Sequence, residues 1–324
     1  MKKEYQSKLK RIFPFAGIVI FIYTIYSLDI GKLKEGFLSI HLGYILISLS
    51  LNIPRLLIRN YIWKLIQREQ KINLSFLESL KLFLIGYFYG SITPGFMGKF
   101  LRITYIKEKI KEPYGKLFIN TFLESVTHQL SLFGMVLLGS LLIVNRIPEL
   151  FYLITTWVFV LGVILFYFSK RNRGEKFFKY LTKIFVIDKI KKPIKNFFNS
   201  FYKDFPELKK LFLPTFIGIV TWIILFSQYY IFVIPLEVDI SYIYFLLLFP
   251  VANMVSIIPI SFAGIGTREL TAVLLFSTLF SINQEKIFII SLLGFILTDL
   301  TNGFLGFVFS IRTNKKTDRD QINH

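Results

Sequence analysis

Apolar runs long enough to cross a bilayer recur along this 324-residue chain, and two of them are broken in the same way. The breaks are Ser91-Ile-Thr-Pro-Gly-Phe-Met-Gly-Lys-Phe-Leu-Arg102 and Pro259-Ile-Ser-Phe-Ala-Gly-Ile-Gly-Thr-Arg-Glu269. Each puts proline, two glycines, hydroxyls and an arginine where a membrane helix would carry leucine. A hydrocarbon core ~30 Å thick is crossed by about 20 apolar residues of helix. It offers nothing to unpaired backbone groups, so irregular chain at that depth survives only inside protein or beside a wet cavity. Such breaks are the best sequence pointer to a substrate site in a polytopic protein. The chain therefore reads as an all-α integral membrane protein whose functional residues lie near the two interruptions.

Composition agrees with that class: 54% of residues are hydrophobic and 18% aromatic. Residues 1–311 are expected to form one polytopic membrane domain, and the polar stretch 312–324 a disordered cytoplasmic tail. The basic start leads into Ile12–Leu28 without a small-residue cleavage site, so that run reads as a first span rather than a signal. Absence of cysteine excludes disulfides and thiolate metal sites. The wealth of Lys, Ile, Phe and Asn points to an AT-rich genome, archaeal or bacterial.

A net charge of +19 could indicate nucleic acid, but its distribution does not. Segment 170–210 carries thirteen Lys/Arg against four acids, while loops 29–36, 145–149, 235–241 and 282–286 sum to −2. Alternating basic and non-basic loops are the positive-inside pattern of a multi-pass cell-membrane protein, with both termini cytoplasmic. No RNA-binding motif or basic helix-turn-helix accompanies it, so no nucleic-acid partner is expected.

Charge parity then threads the chain. Ile12–Leu28 crosses out and Phe37–Ile58 crosses back. Leu80–Ile92 is too short to cross and is followed by basic 99–116, so a hairpin entering from the inside satisfies parity. Thr93-Pro94 would start its returning arm as N-cap and first helical residue. Leu117–Val144 crosses out and Phe151–Ser169 crosses in. In 170–210, Phe177, Phe178, Leu181, Ile184 and Phe185 recur at helical spacing among lysines, the pattern of an amphipathic helix at the inner headgroup layer. Leu211–Ile234 crosses out and Ile287–Ile311 crosses in. Tyr242–Phe280 must start and end outside, making a second hairpin broken at 259–266 and capped by Gly266 or Thr267. The expectation is six spanning helices plus two oppositely oriented re-entrant hairpins, eight membrane segments in all; hydropathy alone would equally give eight full crossings.

These residues resemble the flippase-like, lysylphosphatidylglycerol synthase transmembrane-domain family, which includes stand-alone archaeal and bacterial membrane proteins and a relative implicated in lipid-linked glycosylation. Ser91, Thr93, Pro94, Gly95, Gly98 and Arg102 match its first signature. Pro259, Ser261, Gly264, Gly266, Arg268 and Glu269 match its second, Pro-x-Ser-x-x-Gly-x-Gly-x-Arg-Glu. The chain departs from the family at Lys99, where an acid is usual, at Glu124-Ser125, where a glutamate-arginine pair is usual, and at His128. The resemblance implies handling of an anionic lipid. The soluble aminoacyl-transfer domain of the family's synthases is not expected, because the chain ends about thirteen residues after its last helix.

Arg102 and Arg268 are the leading ligand candidates. Each is expected one to two turns below a half-helix N-terminus, where N–H groups, the helix dipole and a guanidinium could converge on a phosphate. The bland readings are a snorkelling Arg102 and an Arg268 paired with Asp299 or Glu269. Glu124 and His128, one turn apart with Asn120, Thr121 and Thr127 nearby, form a costly intramembrane pair that could neutralise Arg102, carry a proton, or serve structure alone. Asp299 and Asn302 share one face of the last helix, and Asp299 calls for a cationic partner, Arg268 first. Asn52, Gln228 and Asn253 read as interhelical glue. No metal set, cofactor loop, nucleophile elbow or Walker motif is present, so neither a metal nor a cofactor is expected and the chain does not read as an enzyme. Two functions follow: a lipid translocase for an anionic phospholipid or polyprenyl-phosphate-linked saccharide, or a membrane partner presenting lipid to a separate transferase.

Overall fold

The computed structural model describes residues 16–170, 172–174, 176–177 and 188–322, with side chains described outside 188–195 and 313–322. The described residues are almost all helix, with no β-strand among them. The first two helices, α1 (Ala16–Ser27) and α2 (Ile30–Leu38), meet at a bend of 93°. The second exists because Asp29 caps it, accepting from the Lys32 N–H at 3.1 Å, and because Leu33 is buried. Of residues 29–36, expected as a loop, all but the capping Asp29 are therefore helix. Helix α3 (Leu42–Glu69) likewise runs beyond the expected end at Ile58, since Asn60, Ile62, Trp63, Ile66 and Gln67 bury one side.

Helix α4 (Phe76–Ser91) leads into the first break, which ends in a 3₁₀ turn (Met97–Leu101) and the short α5 (Arg102–Lys109). Then follow α6 (Tyr114–Leu142), α7 (Pro148–Ser169), α8 (Asp188–Lys203) and α9 (Phe212–Tyr230). Helix α10 (Tyr242–Val255) precedes the second break and α11 (Thr267–Phe280) follows it. Helix α12 (Gln284–Phe295), a π-helical turn (Ile296–Leu300) and α13 (Thr301–Ile322) finish the chain. The expected disordered tail is thus corrected: helix continues from the last span to Ile322.

Five helical stretches are long and apolar enough to cross a membrane: Leu42–Glu69, Tyr114–Leu142, Pro148–Ser169, Leu208–Val233 and Gln284–Arg312. A sixth results if α1 and α2 count as one bent span. The expected eight segments exceed this because the arms beside the breaks are short. Helix α4 has 16 residues and α10 and α11 have 14 each, or ~24 and ~21 Å at 1.5 Å per residue.

The chain divides into two compact units that interleave in sequence. The first comprises residues up to Asn60, Leu77–Arg102 and Val220 onward; the second comprises Tyr61–Phe76 and Ile103–Ile219. In the first, Phe226, Tyr229, Phe245, Phe249 and Phe276 are fully buried, with ring centroids 5.0–5.9 Å apart along the cluster. Such pairs add about 0.5–1.5 kcal/mol each beyond area burial. They fix α9, α10 and α11 and so hold the second break in place.

In the second unit, Ile66, Ile119, Leu123 and Leu211 form a buried cluster covered by Phe122, Phe201 and Phe205. Asn120 ties it together, accepting from Trp63 Nε1 and donating to Gln70 Oε1, both at 2.7 Å. Helix α8 turns Phe197 and Phe201 toward Phe118 of α6, at 5.4 and 6.5 Å. Of the apolar face expected at the headgroup layer, Phe177 is described; it is exposed and meets Phe168 edge-on at 5.1 Å. Phe178, Leu181, Ile184 and Phe185 of that expectation lie outside the described residues. Helix α7 buries only Ile154 and presents the rest of its apolar surface outward.

Candidate functional site

The two breaks, remote in sequence, meet. Pro94 and Phe262 face each other as an isolated antiparallel backbone bridge, and the Gly95 N–H points at the Ser261 carbonyl across 3.5 Å. The geometry needs Gly95: its φ is +59°, and a Cβ there would lie 3.0 Å from Pro259 Cβ. The first helix supports the same place, the Gly17 N–H donating to the Ile260 carbonyl at 2.9 Å.

Within the first break, Thr93 does not start a helix. Its hydroxyl donates back to the Tyr89 and Gly90 carbonyls and accepts from the Gly98 N–H at 2.7 Å. Phe96 takes a left-handed conformation, φ 58°, and helical structure resumes at Met97. The expected Thr93-Pro94 helix start is therefore displaced by a turn, because proline and glycine together favour one. Ser91 bonds its own helix at Phe88. Arg102 is the first residue of α5, five residues into the helical arm that resumes at Met97, and it is 1% exposed. Its guanidinium lies 5.8 Å from the Phe83 ring centroid, and Gly86 leaves room for its stem.

The second break closes on a cap. Gly264 and Gly266 have φ of +79° and +85°, which side chains disfavour. The Gly264 carbonyl accepts from the Arg268 N–H and the Thr267 hydroxyl, which also meets Ser261 at 3.1 Å. Glu269 returns to the cap, one oxygen accepting from the Gly266 N–H at 2.7 Å. Its other oxygen accepts from Ser291 at 3.2 Å. This is half of a capping box, with glycine in the cap position. It puts Arg268 in the first turn of α11, closer to the helix start than expected.

Arg268 and Glu269 are each 1% exposed and are paired. Arg268 donates to Glu269 from Nη2 at 2.8 Å and from Nε at 3.1 Å, and from Nη1 to Asp299 at 3.3 Å. Its guanidinium carbon lies 4.7 Å from the Phe295 centroid. The Tyr87 hydroxyl donates to the other Asp299 oxygen at 2.6 Å. One carboxylate thus joins the arm before the first break to the arm after the second. The π-helical turn at Ile296–Leu300 contains Asp299, a motif frequent at functional sites.

Asp299 and Asn302 part company: Asn302 exchanges bonds with Asn52, the shorter at 2.8 Å. Gln228 bonds the Ser48 backbone at 2.8 Å, whereas the Asn253 amide oxygen has no partner among the described residues. Glu124 and His128 stand one turn apart on α6 in the second unit, Glu124 buried and Thr127 bonding its carbonyl. Two participants escaped the sequence reading, Tyr87 and Ser291, and so did the buried Arg55 of α3, which donates to Asn52 at 2.9 Å. Arg55 carried a signal, a cation beside Pro54 with Asn52 one turn before it in an apolar run, but the adjoining basic segment hid it.

The model of the lysylphosphatidylglycerol synthase TM region matches residues 12–306 of this chain. A UPF0104 membrane protein of Methanocaldococcus jannaschii is 23% identical, the match covering 93% of this chain and 94% of that protein. The match spans both breaks and nearly all the helices described above, and on that extent this chain belongs to the lysylphosphatidylglycerol synthase transmembrane-region family.

Proposed function

We propose that this membrane protein moves the anionic headgroup of a phospholipid, or of a polyprenyl-phosphate-linked saccharide, across the bilayer while the tails stay in lipid. The observation carrying this reading is the meeting of the two breaks at Pro94 and Phe262 beside the buried Arg268. Two interrupted hydrophobic segments joined at their tips are the construction expected of a midplane site. The guanidinium offers a donor fork matched to phosphate oxygens. Its two carboxylate partners differ in exposure, Glu269 at 1% and Asp299 at 16% of the side chain. Asp299 is the partner an arriving phosphate would displace, leaving Glu269 to hold the arginine in place.

The test is lipid movement in phosphatidylcholine vesicles containing fluorescent phosphatidylglycerol, read by an impermeant quencher. Arg268→Lys retains the charge and loses the fork, so movement should fall about tenfold or more. Wild-type speed in that variant removes the basis of the reading.

A further inference from the structure

Helix α3 carries a cation that the membrane environment does not tolerate without cause. Arg55 is 2% exposed. It lies near the middle of Leu42–Glu69, with about 20 Å of helix on either side. A charge at that depth costs several kcal/mol unless matched, and is by default a functional candidate. Yet its hydrogen-bonding partner is neutral: Nε and Nη2 both donate to Asn52 Oδ1, at 3.2 and 2.9 Å. Among the described residues Arg55 forms no ion pair.

The surroundings extend the pattern. Arg59, one turn further along α3, lies over the Phe83 ring at 5.0 Å, and Arg102 approaches the same ring at 5.8 Å. Phe83 and Tyr87 are themselves one turn apart on α4, with centroids separated by 6.0 Å. Arg55 and Arg59 both lie within electrostatic reach of the Tyr87 hydroxyl. That hydroxyl holds Asp299, whose second oxygen faces Arg268. Arg59 on α3 thus stands against an α4 aromatic, with Arg55 one turn before it on the same helix. Pro54, which has no N–H for the Ser50 carbonyl, weakens α3 beside Arg55.

We propose that Arg55 is an anion-binding residue that takes a phosphate oxyanion at mid-membrane depth, forming with Arg59 a two-step relay toward Arg268. The ligand chemistry is a phosphodiester or phosphomonoester, from a lipid headgroup or from free phosphate. The inference rests on the lipid-translocation reading and adds its binding residues. The competing role is purely structural, with Arg55 balancing Asp299 at longer range.

Thermal unfolding of the purified full-length chain in neutral detergent separates these roles, titrated with phosphatidylglycerol, phosphatidylcholine or inorganic phosphate. Wild type should be stabilised by phosphatidylglycerol or by inorganic phosphate, which identifies the source, and not by phosphatidylcholine. Arg55→Gln should raise the half-saturating anion concentration about tenfold or more. Its midpoint without anion should stay at or above the wild-type value, since a buried cation without an ion-pair partner has been removed. Arg55→Lys, which keeps charge without the fork, should fall between. The proposal is overturned if Arg55→Gln retains the wild-type anion response. It is equally overturned if that variant unfolds earlier without anion and Asp299→Asn restores it, or if neither anion stabilises wild type. The vesicle assay on Arg268 stands apart: wild-type lipid movement in Arg268→Lys, together with a weakened anion response in Arg55→Gln, would remove the translocation reading and leave the anion site.

Discussion

Asp299 stands between Tyr87 and Arg268, taking the tyrosine hydroxyl at 2.6 Å on one oxygen and the guanidinium at 3.3 Å on the other. Residues separated by 212 and 31 positions are thereby joined through one carboxylate. Because low-dielectric surroundings make an unmatched charge costly, this arrangement dictates how the site responds to substitution.

Arg268→Ala leaves two carboxylates, Glu269 and Asp299, without their cation. Breaking such a buried pair costs about 3–5 kcal/mol, so the variant should unfold well below wild type in detergent. Adding Asp299→Asn should recover part of the loss without recovering lipid movement. Melting curves and vesicle transport on the single and double variants separate charge balance from function.

Gly95→Ala tests the meeting of the two breaks. The new methyl would sit in a left-handed backbone and 3.0 Å from Pro259. Backbone strain alone amounts to about 1–2 kcal/mol. The melting midpoint should fall by several degrees and lipid movement should drop with it. A neutral result would mean that the Pro94–Phe262 bridge is not part of the working conformation.

Asn52 and Asn302 exchange side-chain bonds across the first unit. A double-mutant cycle with alanine at each should give a coupling of about 0.6 kcal/mol, rising at most to about 1.7. Additive effects would show that the pair is not energetically coupled.

Topology is accessible because the chain has no cysteine. Gly98 is a poor labelling position, since a side chain there would press on the Tyr89 carbonyl and the Thr93 hydroxyl. Lys111 and Asp239 are exposed instead. In intact cells an impermeant thiol reagent should label Asp239→Cys and spare Lys111→Cys. The reverse labelling would invert the proposed orientation.

Much of the fold was legible in the order of residues. Apolar length and scarcity of charge fix the all-helical membrane class, because the bilayer requires backbone bonds to close within each segment. Proline and glycine located both breaks, and the cost of a carboxylate at Asp299 within an apolar run called for Arg268. Local capping overrode the coarser pattern in three places. Asp29 built a helix where a loop was expected, Thr93 received the Gly98 N–H instead of starting a helix, and Glu269 drew Arg268 into the first helical turn.

Local chemistry could say which residues are expensive in hydrocarbon, since that cost belongs to each side chain and its depth. It could not say which distant group meets the cost. Tyr87 joining Asp299, Ser291 joining Glu269, and Asn302 turning to Asn52 rather than staying with Asp299 are decided by helix packing. So is the contact of Gly95 with Pro259, where two backbones approach because one lacks a side chain. Such partnerships depend on rotation and register between helices far apart in the chain, set by small residues and aromatic packing over the whole unit.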